Sequence, residues 1–69
     1  MPLQSILFAK DKWSVFRAII WMREHGYQVY KIDTTHSPHF YRFRQLPPPF
    51  KHYTTKKIGN GVELVIGVN

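Results

Sequence analysis

The sequence predicts an α+β domain: one amphipathic helix packed on a mainly antiparallel sheet of four to five strands, in the order β-α-β-β-β-β. Three observations predict it. Residues Val15 to His25 carry apolar side chains at helical period and stop at Gly26. Val62, Leu64, Ile66 and Val68 alternate at the period of a strand. Between that strand and the β-prone run before it stands Gly59-Asn60-Gly61, and Asn-Gly is the strongest short hairpin signal because both residues tolerate positive φ. With 69 residues the chain makes a single domain, residues 1–69.

The elements follow in order. Leu3 to Ala9 is short and mostly apolar and reads as a first strand. Ser14 is an N-cap candidate, with Trp13 before it to pack on the first turn and Asp11 as a competing cap. At about 100° per residue, Val15, Ala18, Trp21, Met22 and His25 share the face turned to the sheet. Gly26 takes the C′ position, where a left-handed conformation is needed. On the opposite face Phe16 and Ile20 stand among Arg17, Arg23 and Glu24, and two large apolar groups there are a candidate protein interface. The competing expectation is that the N-terminal segment folds over them. Tyr27 to Asp33 reads as a second strand, Thr34 to Pro38 as a turn and Phe40 to Leu46 as a third strand. Pro47-Pro48-Pro49 cannot donate ladder hydrogen bonds and reads as an extended crossing or edge segment. Tyr53 to Ile58 and Val62 to Val68 complete the sheet.

Composition narrows function. With no cysteine, disulfides are excluded, and five Phe, four Tyr and two Trp must supply the packing a small domain needs. The start lacks the basic lead and long apolar stretch of a signal peptide, and no apolar run approaches the roughly 18 to 20 residues that span a bilayer. The expectation is a chain that is neither secreted nor membrane-bound, working in a cell's cytoplasm or nucleus or carried inside a particle. Ten Lys and Arg against four Asp and Glu give a formal charge of +6. Half of those cations, Arg42, Arg44, Lys51, Lys56 and Lys57, fall between Asp33 and Glu63, a stretch with no acid. Such a field attracts a polyanion: nucleic acid, an acidic protein surface or anionic lipid.

The segment Phe40-Tyr41-Arg42-Phe43-Arg44-Gln45 is the most informative. At period two, Arg42 and Arg44 share one face and Tyr41 and Phe43 the other. If the helix covers the aromatic side, both guanidinium groups emerge on the bare face, suited to phosphates or carboxylates. If it covers the other side, Tyr41 and Phe43 form a stacking platform for single-stranded nucleic acid. Tyr53 is a further stacking candidate. The four histidines include His36 and His39 at H-x-x-H spacing, but without cysteine or a second paired motif the reading is no metal and no cofactor. Four scattered carboxylates and no nucleophile or phosphate-loop motif predict that the chain is not an enzyme.

Trp21-Met22, His25-Gly26-Tyr27, Lys31-Ile32-Asp33, Tyr41-Arg42-Phe43-Arg44-Gln45 and Gly61-Val62-Glu63-Leu64-Val65-Ile66-Gly67 together form a pattern. It resembles a small uncharacterised module encoded by tailed phages and large DNA viruses. In that module a W-[LM]-x-x-H-G-[YF] helix end precedes a Y-R-F-R-Q strand and a closing G-V-x-x-V-x-G strand. The likeness runs from Trp13 to Gly67 and implies a viral accessory domain, in a virion or assembly context beside head-morphogenesis proteins. The module often carries an acid after Lys-Ile-Asp, where Thr34 and Thr35 stand here.

Overall fold

The strand nearest the N-terminus takes the centre of the sheet. The computed structural model describes residues 2–47 and 49–69. Its elements are β1 (Leu3–Ala9), α1 (Val15–Glu24), β2 (Ile32–Asp33), β3 (Phe40–Arg44), β4 (His52–Gly59) and β5 (Val62–Val68). The five strands lie in the order β2-β3-β1-β5-β4, with every neighbouring pair antiparallel. The fold is α+β, with the helix packed on one face of the sheet. β1 sits between β3 and β5, which is why Gln4 to Phe8 are all buried and why no alternation is visible in that run.

The helix closes on one face through a small set of large side chains. Ile6 and Phe8 of β1, Phe43 of β3 and Val62 of β5 meet Ala18 and Met22 of α1, and all six are buried. The rings of Trp13, Trp21 and Phe43 each meet Phe8 edge-on, at centroid distances of 5.0, 5.5 and 5.3 Å. Edge-to-face packing suits the ring quadrupoles and adds to the burial itself. Arg17, Arg23 and Glu24 point to solvent, and so do Phe16 and Ile20, which the N-terminal segment does not cover.

The caps follow the sequence. The Ser14 hydroxyl accepts the backbone N–H of Arg17 at 3.1 Å, satisfying one of the orphan donors of the first turn. Gly26 ends the helix at φ +78°. At the same end the His25 ring lies flat on Trp21, 3.8 Å between centroids, with Nδ1 2.8 Å from the Trp21 carbonyl. Ser14→Ala is expected to cost about 1 kcal/mol, read as a lower urea midpoint with an unchanged slope.

Two strands are shorter than the sequence suggests, and Gln45 accounts for both. Tyr27 to Tyr30 stand outside the ladder because side-chain amides replace it. The Gln28 N–H donates to Gln45 Oε1 (3.1 Å), Gln28 Nε2 to the Gln45 carbonyl (2.7 Å) and Gln45 Nε2 to the Gln28 carbonyl (2.9 Å). β3 stops at Arg44 because the Gln45 and Leu46 N–H groups both turn to the Gln4 carbonyl. The crossing expected at Pro47-Pro48-Pro49 includes Pro48, which lies outside the described residues. Beyond it β4 and β5 form the expected hairpin, with Gly59, Asn60 and Gly61 all at positive φ. No helix is long and apolar enough to cross a membrane among the described residues.

Candidate nucleic-acid interface

Pairing register decides which side chains share the bare face of the sheet. Directly opposed residues in an antiparallel pair point the same way. Asp33 opposes Arg42, Arg42 opposes Leu7, Leu7 opposes Glu63, and Glu63 opposes Lys57, so one row runs across all five strands on the face away from the helix. The next row holds Arg44, Ser5, Val65 and Thr55. Arg42 and Arg44 therefore emerge side by side, roughly 7 Å apart along β3. Of the two arrangements the alternation allowed, the helix covers the aromatic side.

The floor of this face is apolar. Leu7 and Val65 are buried although no helix lies over them, and around them Arg42, Arg44, Tyr53 and Thr55 rim a shallow basin of about 520 Å³. Gln4 lines the same basin. Its Nε2 donates to the Leu46 carbonyl at 3.0 Å, while Oε1 is buried without a partner. On the far side of the arginines a recess of about 410 Å³ is bounded by Lys31, Asp33 and Thr34. Lys31 thus joins Arg42 and Arg44, and the Arg44 N–H donates to the Lys31 carbonyl at 2.9 Å.

Asp33 is the acid nearest to these cations, and its carboxylate serves its own loop. Oδ1 accepts the N–H groups of His36 (2.9 Å) and Thr35 (3.1 Å). These two bonds hold the carboxyl below its ordinary pKa, and the charges of His36 and Arg42 act in the same direction. The positive charge is tempered at the β2 end by Asp33, which opposes Arg42 and lines both the basin and the recess. Toward β4 it is tempered by Glu63, which opposes Lys57.

The residues expected to form the site divide between the two faces. Arg42, Arg44, Lys57 and Tyr53 share the open face. Lys56 opposes Leu64, so it belongs to the helix side, and Lys51 is exposed ahead of β4. Phe43 has no exposed surface and cannot stack on a base. Tyr41 faces the helix side as well, partly buried, with the Lys10 ammonium 5.3 Å from its ring centroid. The stacking platform of Tyr41 and Phe43 is corrected on that ground: the domain needs both rings for its core.

Tyr53 remains as the open-face aromatic of that set. It is 47% exposed, and Phe50 braces it edge-on at 5.9 Å while donating its N–H to the tyrosine hydroxyl at 3.1 Å. Sequence reasoning missed Lys31, Gln4 and Phe50. Lys31 could have been found two positions before Asp33 at strand period. Gln4 could not, because it reaches the basin through an irregularity in pairing between Leu3 and Ser5. Among the described residues no three His, Cys, Asp or Glu side chains gather as a group that could hold a metal ion, and His36 and His39 lie in the loop between β2 and β3.

No protein-family model matches the chain, and no curated protein or solved structure matches it.

Proposed function

We propose that the chain is a non-enzymatic viral accessory domain that binds nucleic acid across the open face of its sheet, inside an infected host cell or a virion. The observation that supports this reading is the pair Arg42 and Arg44, set on a rigid strand beside Lys31 and above an apolar floor. Guanidinium groups are planar, permanently charged donors that engage phosphate through two N–H groups at once. Tyr53 stands at the opposite rim, where a base stacked on it contributes about 1–3 kcal/mol.

The test is a polarisation titration with labelled single-stranded DNA and RNA at two salt concentrations. Three phosphate contacts, from Lys31, Arg42 and Arg44, give a slope of log affinity on log salt of about −2, so a fourfold rise in salt weakens binding about 20-fold. Arg42→Ala with Arg44→Ala is expected to flatten that slope to about −0.7 and to weaken binding at low salt. No binding by the wild type at low salt ends the reading, and binding to an acidic protein alone transfers the arginines to that partner.

A second reading rests on the outer helix face. Phe16 is 72% exposed and Ile20 43% exposed, one turn apart, as a protein-interaction or capsid-associated module would present them. Ile20→Glu is expected to abolish association through this face without lowering stability by more than about 0.5 kcal/mol. Sedimentation of the two chains, alone and with candidate virion proteins, checks it.

A further inference from the structure

The two edges of the sheet differ. At one end β2 has two residues, too few to template another strand. At the other end β4 has eight, every one exposed, and its outer edge carries the unpaired N–H and C=O groups of alternate residues. Its pairing with β5 is regular from His52 to Lys57 and shifts only between Lys57 and Gly59. Tyr53, Thr54 and Thr55 are strong strand formers, whereas Lys56 and Lys57 are the residue type that ordinarily guards an edge. The position of those lysines decides what the edge accepts.

Two copies of β4 that pair antiparallel about a two-fold axis must place the axis on a residue, since opposed side chains share a face. Four residues, Thr54 to Lys57, are central enough. An axis at Lys56 or Lys57 sets that lysine against its own copy. An axis at Thr54 sets Lys56 against His52 and runs Lys57 toward Lys51. An axis at Thr55 sets threonine against threonine, Lys56 against Thr54 and Lys57 against Tyr53, with no like charges opposed. The lysines reject the neighbouring registers and leave this one. The Tyr53 ring is held ready for it by Phe50 and can take the lysine ammonium of the other copy over its face.

We infer that β4 docks a second copy of this chain by antiparallel strand addition, with the two-fold axis at Thr55. The result is a continuous ten-stranded sheet, two sets of the five strands, whose open faces lie on the same side. This interface excludes Arg42 and Arg44, which lie on β3, but it shares Tyr53 with the proposed nucleic-acid face. It is therefore tested without oligonucleotide, where its failure is distinct from a failure of nucleic-acid binding.

The chain has no cysteine, which permits a direct test. Opposed Cα atoms in an antiparallel pair are about 4.5–5.5 Å apart, inside the span of a disulfide. Single variants Thr54→Cys, Thr55→Cys and Lys56→Cys are oxidised under mild conditions, with Thr35→Cys, in an exposed loop, as the collision control. The wild type is expected to sediment at twice its chain mass. Thr55→Cys is expected to cross-link about 100-fold faster than Thr35→Cys, because docking raises the local thiol concentration from about ten micromolar to roughly millimolar. A monomeric wild type together with Thr55→Cys no faster than Thr35→Cys overturns the inference. So does fastest cross-linking by Thr54→Cys or Lys56→Cys, which assigns another register. If the chain stays monomeric and β4 amides gain exchange protection only when an oligonucleotide or an acidic peptide is added, the edge belongs to that occupant and the inference fails.

Discussion

Phe8→Ala is expected to leave the chain largely unfolded at 25 °C. Phe8 has no exposed surface and is the one ring touched edge-on by Trp13, Trp21 and Phe43. Truncating a buried phenylalanine to alanine costs about 3–5 kcal/mol, transfer and cavity together. A 69-residue domain has roughly 3–10 kcal/mol of total stability to lose. The site has little capacity to collapse, because Ile6 and Phe43 on either side are fixed by ladder pairing. Urea unfolding followed by far-ultraviolet circular dichroism measures the loss. Tryptophan fluorescence reports the same event locally, since both tryptophans contact the deleted ring. A loss below about 1 kcal/mol would mean that the three aromatic contacts are not the centre of the core.

Local chemistry made much of the fold legible. Leu3–Ala9 and Val62–Val68 are bounded by charges, turns or the chain end, and their extents match the structure. Ser14, Gly26 and Gly59-Asn60-Gly61 each need a particular backbone conformation, and each adopts it. The order β2-β3-β1-β5-β4 was not legible, because it depends on which strands pair across long stretches of sequence, a property of the assembled sheet. The same holds for the site. Arg42 and Arg44 could be assigned to one face from period two, but the choice of face rested on Ile6 and Phe8, more than thirty residues earlier in the chain. Lys56 and Lys57 are neighbours in sequence and therefore opposites in space, so a count of basic residues overstates the charge on either side. The Gln28–Gln45 amide exchange gave no periodic signal at all, since it replaces ladder bonds with side-chain ones.

Gly67→Ala tests the other end of the open face. Gly67 lies in β5 opposite Tyr53, at a position whose Cβ would point away from the helix. A methyl group built there falls within the ring of Phe50, which lies directly against the glycine backbone. Glycine is present here because an aromatic ring occupies the space a side chain would take, an arrangement that restores to the sheet the contact the glycine gives up. Alanine forces Phe50 off that surface, since the strand backbone is held by pairing on both sides. The expected cost is about 1–3 kcal/mol, the range for overpacking a filled site. The loss should extend to function, because the ring that braces Tyr53 moves with it. The Phe50 N–H bond to the Tyr53 hydroxyl and the edge contact at 5.9 Å both depend on the present seat of Phe50. Oligonucleotide binding by Gly67→Ala should therefore weaken by roughly the stacking contribution of one base, about 1–3 kcal/mol, with the salt slope unchanged. A Phe50→Ala, Gly67→Ala double variant separates the two effects: removing the ring relieves the clash and recovers stability, yet leaves Tyr53 unbraced and binding weak. If the double variant regains binding as well as stability, Tyr53 needs no brace, and the aromatic rim acts only to cover Gly67.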